Sequence, residues 1–267
     1  MAVLLPVNTS GRVRKMKPRP DVTMDNLHLL STTKFTKRIC LSIVNGMGDY
    51  LGIASPFLLR FKLLMKDIFE QRDIGWNDEI QEDAKLVWID LIKEAVFEGY
   101  LCFPRTTKPA NAIGGPMIVS FGDGSFAAFA AAVYLRWAVP CDHLDKDLCD
   151  GDFFVQLLCA KSRVTPFYGL TIPCGGLCGL VLSSRLTLTV SKALSIELSM
   201  YPTGAILLSD SECSISALDK STSALQPYFH NRVSEIRNNL KEIGDIFIGS
   251  QMSSSRGTQQ SLLPRYL

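Results

Sequence analysis

Nowhere in the 267 residues does an uninterrupted apolar run reach the ~18–20 residues that span a bilayer. Arg136 breaks "FAAFAAAVYLRWAV" and Arg185 breaks "GLVLSSRLTLTV", so no transmembrane helix is predicted. The start, "MAVLLPVNTSGRVRK", has no charge ahead of its apolar patch and too short an apolar core for a signal peptide. The expectation is a protein that stays inside the cell, in cytoplasm or nucleus, with no membrane partner. Histidine is scarce, at three residues, and the eight cysteines lack the repeated C-x2-C spacing of a structural zinc site. The nearest pairs are Cys174/Cys178 and Cys141/Cys149, with His143 the one histidine close by. In an intracellular chain such thiols are expected to be reduced. Net charge is nearly absent too, at +2, but it is unevenly spread: Met1 to Arg38 carries eight Lys and Arg against Asp21 and Asp25. Only this arm is basic, and it can lie on phosphates or remain a solvated tail.

What the chain does have is apolar residue content, 47% against 20% charged, enough for one large core or two modest ones. Residues 1–33 read as the basic arm. Ile39, Ile43 and Met47, then Phe57, Phe61, Leu64 and Ile68, recur at three and four, which predicts helices over 37–47 and 56–70 broken by Gly46, Gly48, Gly52 and Pro56. A third helix over 79–97 places Ile80, Ala84, Val87, Leu91 and Ala95 on one face, completing a small helical unit over 34–103 in which Phe57, Leu64, Trp76 and Trp88 should be partly buried. Residues 104–116, with three Pro and two Gly, read as a linker.

Beyond the linker the pattern changes. "MIVSF" predicts a strand stopping at Gly122-Asp123-Gly124-Ser125, and "FAAAVYLR" and "FFVQLLCAKSRV" predict two more. An apolar, Ser/Thr-rich helix over 177–198 follows, then a strand "AILL", a helix "PYFHNRVSEIRNNL" with Pro227 at its N-terminus, and a strand "DIFIG". These elements define a domain over 117–250, with 251–267 as a flexible tail. Asp123 and Asp210 each follow an apolar strand, so pairing of those strands would bring two carboxylates to one sheet edge, a setting that attracts Mg²⁺. Taken singly, Asp in D-G-S is also ordinary turn chemistry and Asp in S-D-S an ordinary helix cap. Lys161 and Arg163 in "AKSRV" lie beside a candidate strand, where they could face phosphates or serve as solvated edge charges.

Five blocks resemble the BEL/Pao family of retrotransposon polyproteins (the Pao retrotransposon peptidase family). They are "NGMGDYLGIASPFLLRFKLLMKDIF", similar to N-x-x-Y-D-P-L-G-x-x-S-P-F; "DIGWNDEI", similar to L-G-W-D-D; "SFGDGSFAAFAAAVYLR", similar to F-S-D-A-S-x-x-A-Y-G-A-V-V-Y-L-R; "LLCAKSRVTPFYGLTIPCGGL", similar to A-K-S-R-V-A-P-x-x-x-x-T-I-P-R-L-E-L; and "LLSDSECSISAL" with "LQPYFHNRVSEI", similar to the T-D-S strand and N-R-V-x-E-I helix. The resemblance implies the segment from the reverse transcriptase connection into the ribonuclease H-like domain. Its expected fold is α/β, a ribonuclease H-like mixed five-stranded sheet with flanking helices preceded by a helical connection unit. Four carboxylates in such enzymes hold two Mg²⁺ ions that drive cleavage of the RNA strand of an RNA–DNA hybrid. Asp123 matches the first-strand ligand and Asp210 the fourth-strand ligand, which makes both catalytic and metal-ligating candidates.

The departures concern the other two ligands. Gly176 stands at the position of the family's Glu, and Met252 at that of its late Asp. Tyr50 replaces a Pro, while Asp49 and Gly52 match the first block; Glu212, near Asp210, is the one acid placed to compensate. The expectation is a polyprotein fragment that associates with an RNA–DNA hybrid or other nucleic acid, with Mg²⁺ held weakly or lost and cleavage impaired. Its partner would be the reverse transcriptase portion of the polyprotein. The alternatives are an active Mg²⁺-dependent hybrid ribonuclease and a non-catalytic, domesticated interaction module. Reverse transcriptase Y-x-D-D, aspartic protease D-[ST]-G and integrase zinc patterns are absent from the sequence.

Overall fold

The computed structural model describes residues 13–15, 30–97, 102–104, 106–140, 152–244 and 246–250. Most of the basic arm, the tail with Met252, and Cys141, His143 and Cys149 lie outside the described residues. The chain divides into two compact units, Met1–Thr106 and Thr107–Leu267.

In the first unit a short strand β1 (Val13–Lys15) pairs antiparallel with β2 (Cys102–Pro104), and three helices follow the hydrophobic spacing: α1 (Lys37–Gly46), α2 (Ser55–Glu70) and α3 (Glu82–Phe97). Thr36 caps α1, its Oγ1 accepting from the Ile39 N–H at 3.3 Å. The core is built from Phe35, Cys40, Leu58, Phe61, Ile68, Ile80, Trp88, Leu91 and Ile92. Trp88 is fully buried with its ring 5.2 Å from that of Phe61, whereas Trp76 stays half exposed with an edge against Phe69. The buried face of α3 is turned from the expected one: Trp88, with the largest apolar area, faces the core and leaves Val87 exposed. The Asp49–Ala54 turn explains why Asp and Gly recur in the first block. Gly52 has φ +73°, a conformation that favours glycine, and its N–H donates to the Asp49 carbonyl at 3.3 Å.

The second unit is one mixed sheet of β3 (Ile113–Gly124), β4 (Ala128–Val139), β5 (Asp152–Val164), β6 (Gly204–Ser209) and β7 (Ile246–Ser250), in the spatial order β5-β4-β3-β6-β7. The first three strands are antiparallel neighbours, and β6 runs parallel to both β3 and β7. With α4 (Ile172–Lys192), α5 (Glu212–Asp219) and α6 (Pro227–Ile243), this is an α/β fold of the ribonuclease H-like kind. Strand β3 begins before Met117, at Ile113, with a register irregularity between the two residues. Gly114 and Gly115 interrupt the apolar pattern there.

Helix α4 packs on β3 and β4 and runs beside α6. By length and composition Ile172–Glu197 could cross a membrane, since Arg185 interrupts the apolar run without breaking the helix, but 67% of its most apolar window is buried inside the fold. Val190 and Leu194 pack on Ile118, Val133, Leu135 and Trp137, while Leu177, Leu180 and Val181 pack with Leu207, Val233 and Ile236. Three pairs spaced seven residues apart on both helices join α4 to α6: Cys178 to Tyr228, Arg185 to Glu235 and Lys192 to Glu242. This is the spacing of a coiled-coil seam. The Ser/Thr content of α4 is used at the sheet, where Ser183 and Thr187 hydrogen-bond to the buried Ser120 at 2.8 and 2.9 Å.

Candidate functional site

The last register pair between the parallel strands β3 and β6 is Phe121 with Leu208. Two residues further along each chain come Asp123 and Asp210, on the same face by the two-residue period of a strand. Their carboxyl groups come within hydrogen-bonding reach of each other at the exposed end of the sheet. Partial burial, then the Asp123 charge and a hydrogen bond that the protonated Asp210 donates to Asp123, push the Asp210 carboxyl above the usual carboxylate range.

Neighbouring serines occupy the turn and N-cap positions that either Asp alone could have filled. At the β3–β4 turn Ser125 Oγ accepts from the N–H groups of Ala127 and Ala128, at 3.2 Å each, and the Ser125 N–H donates to the Ala128 carbonyl at 2.8 Å. Asp123 contributes one contact there, accepting from the Gly124 N–H. After β6, the N-cap of α5 is Ser211, whose hydroxyl pairs with that of Ser214 at 2.7 Å. Asp210 is thus free of the cap and faces Asp123.

Gly176 sits in the first turns of α4, against the loop that carries Asp210. A Cβ there would lie 2.6 Å from Ser211 Oγ and 2.7 Å from Ser211 Cβ, so Ser211 fills the space a longer side chain would need. The helix also approaches the strand backbone to backbone: a Cβ on Gly124 would lie 2.1 Å from the Gly175 carbonyl oxygen, and one on Gly122 2.5 Å from that of Gly179. Glu212 lies in the first turn of α5 and lines a groove with Leu225 and Phe229, and among the described residues no group of three or more His, Cys, Asp or Glu could hold a metal ion. Among the described residues, the acids brought together at this sheet end are Asp123 and Asp210. Such a pair suits a hard cation that keeps several waters.

Lys161 and Arg163 lie on the edge strand β5, on one face and both exposed, opposite Ala131 and Phe129 of β4. Arg163 opens onto a cleft of about 300 Å³ shared with α4 and α6, a feature the sequence did not reveal because it needs three separate elements. The described cysteines Cys40, Cys159, Cys174, Cys178 and Cys213 are free thiols, as expected. Burial pushes Cys40 up to about 12 and Cys159 up to about 11, which makes both poor nucleophiles and poor metal ligands.

The chain is similar to solved ribonuclease H structures. One is the N-terminal RNase H domain of a Mycobacterium tuberculosis protein solved as a fusion with maltose-binding protein, at 13% identity over 51% of this chain and 81% of that one, with TM-score 0.34. Another is RNase H1 from the halophilic archaeon Halobacterium salinarum NRC-1, at 13% identity over 50% of this chain and 84% of that one, with TM-score 0.30. A third is the foamy viral protease-reverse transcriptase in complex with RNA/DNA hybrid, at 13% identity over 92% of this chain and 30% of that one, with TM-score 0.41. No curated protein matches the chain. A family model described as the Pao retrotransposon-like RNaseH-like domain matches residues 36–210, from the cap of α1 to Asp210 itself. That match covers well over half of the sequence, and the protein belongs to the family of Pao retrotransposon-like RNase H-like domains.

Proposed function

We propose that this chain is the ribonuclease H-like segment of a BEL/Pao-type polyprotein, acting inside the cell on an RNA–DNA hybrid or related nucleic acid alongside a reverse transcriptase portion, with its cleavage chemistry impaired. Asp123 and Asp210 hold one Mg²⁺ weakly. The observation that carries this reading is the contact of the two carboxylates at the ends of adjacent parallel strands, with Gly176 and Ser211 where a third ligand would enter. Two like charges this close are unfavourable without a cation, which gives the pair a reason to bind one. A two-ion mechanism needs further oxygens to offset the charge of the second ion, and loss of such stabilisation costs factors of ~10² or more in rate. Lys161 and Arg163 would contact phosphates from the edge strand β5.

The test combines binding with chemistry. Mg²⁺ should raise the melting temperature of the natural chain, and Asp210→Asn should remove that rise. Hybrid cleavage by the natural chain should be slow or undetectable. Robust cleavage would overturn the impairment, and a melting temperature indifferent to Mg²⁺ would overturn the cation site.

A further inference from the structure

We infer that the cleft between β5, α4 and α6 binds the phosphodiester backbone of a nucleic-acid strand, through Arg163 and Arg232. Three guanidinium groups from three elements line it, Arg163, Arg185 and Arg232, against the single carboxylate of Glu235. That carboxylate is already engaged: Arg185 binds it through both Nε and Nη2, the second at 2.8 Å. Arg232 lies over the Tyr228 ring at 3.5 Å and donates Nη1 to the Tyr228 carbonyl at 3.2 Å, which fixes its plane and leaves its charge uncompensated. The Arg163 side chain has neither hydrogen bond nor ion pair among the described residues. Two unneutralised guanidinium groups thus converge on a concave surface floored by the buried Val181 and Leu182.

This chemistry selects phosphate. Forked guanidinium donors match phosphate oxygens, and low-dielectric walls strengthen the attraction. Phe129, beside Arg163, offers an apolar surface to a sugar or base. The cleft is a surface distinct from the carboxylate pair. Gly124 pairs with Phe129 and Phe129 with Arg163, so Arg163 lies two strands across from the residue after Asp123. That is about 10 Å at the usual strand spacing. Asp123 itself pairs with Ala130 and Ala130 with Ser162, so by the two-residue period of a strand the Asp123 and Arg163 side chains stand on opposite faces of the sheet. The inference rests on the proposed association with nucleic acid, and it is independent of the cation site.

The experiment is fluorescence anisotropy of a labelled RNA–DNA hybrid in EDTA at several salt concentrations, with the natural chain, Arg163→Ala, Arg232→Ala, the double variant and Arg163→Lys, each checked by thermal melting. Each alanine should weaken binding about tenfold and flatten the slope of log K against log salt by about 0.7–0.9, and Arg163→Lys should keep the slope. If Arg232→Ala melts early, Arg232→Gln replaces it in the series. No binding by the natural chain, or slopes unchanged in the folded alanine variants, would overturn the inference. So would equal displacement of the probe by poly-glutamate or by phosphatidylserine vesicles, since the cleft would then be a general anion surface. With EDTA present, loss of Mg²⁺ binding in Asp210→Asn leaves these slopes untouched, which separates failure of the cation site from failure of the cleft.

Discussion

Restoring a side chain at Gly176 should fail unless Ser211 is removed as well. A Cβ at 176 falls 2.6–2.7 Å from Ser211 Oγ and Cβ, and the Cβ cannot rotate away, so the loop after β6 must move. Overpacking of this kind costs about 1–3 kcal/mol, against which Gly→Ala within a helix contributes up to ~1 kcal/mol. Gly176→Ala should therefore destabilise the protein by about 1–2 kcal/mol, or ~2–8 °C in melting temperature for a unit of this size. In a Ser211→Gly background the nearest remaining contact is Ser214 Oγ at 3.5 Å, ordinary van der Waals distance, and the same change should be neutral or stabilising. Ser211→Gly alone loses little at an N-cap, a few tenths of a kcal/mol, plus its hydroxyl contact with Ser214. Urea unfolding of the four proteins without metal should give a coupling energy of about 1–3 kcal/mol, and additivity within ~0.5 kcal/mol would refute the steric argument. The same cycle with Glu at 176 extends the test to chemistry. Gly176→Glu with Ser211→Gly should show a larger Mg²⁺-dependent rise in melting temperature than the natural chain, and Gly176→Glu alone should not.

Because the folded-state value of Asp210 is raised, metal-free stability should be highest below the ordinary carboxylate value and fall as pH rises through the raised one, while Mg²⁺ affinity climbs over the same window. Asp210→Asn should flatten both profiles, as read from melting curves with and without Mg²⁺; a pH-independent difference between the two proteins would contradict the carboxylate contact. Arg185→Ala should cost only about 0.5–1 kcal/mol, because the bidentate pair with Glu235 is partly exposed, and the swap Arg185→Glu with Glu235→Arg should recover part of that loss in urea unfolding. Trp88→Ala should destabilise the helical unit by about 3–5 kcal/mol, measured by denaturation followed through far-ultraviolet circular dichroism, since the ring is fully buried against Phe61.

Periodicity made most elements legible in the sequence, because both the strand alternation of β4 and the three-and-four spacing of α2 and α6 report burial directly. The misses have identifiable causes. Helix α5 is eight residues of Ser, Cys and short apolar side chains, too brief for a period to emerge. The apolar stripe of α3 allowed two readings one residue apart, and the volume of Trp88 decided between them. The start of β3 was hidden by Gly114 and Gly115, which interrupt its apolar pattern at the register irregularity. At the site, a strand-terminal Asp is visible in one dimension, but its release from turn or cap duty depends on whether a neighbour assumes that duty. Ser125 does so at the turn and Ser211 occupies the N-cap position of α5, and nothing in the spacing of D-G-S or S-D-S reveals it.

The glycines of α4 are more than the absence of a ligand. Gly122 and Gly124 on the strand meet Gly179 and Gly175 on the helix at distances that no Cβ tolerates, and the obstacle in each case is backbone. The first turns of α4 consequently lie closer to β3 than side chains at these positions would permit, and Ser211 closes the remaining gap at Gly176. A carboxylate at 176 and this close approach compete for one volume, so the sequence that favours tight packing also withholds an oxygen from the Asp123–Asp210 pair. A cation site of the proposed kind would thereby be coupled to stability at one helix end, a competition in which Arg163 and Arg232 take no part. The nucleic-acid contact proposed for the cleft consequently does not depend on an oxygen at position 176.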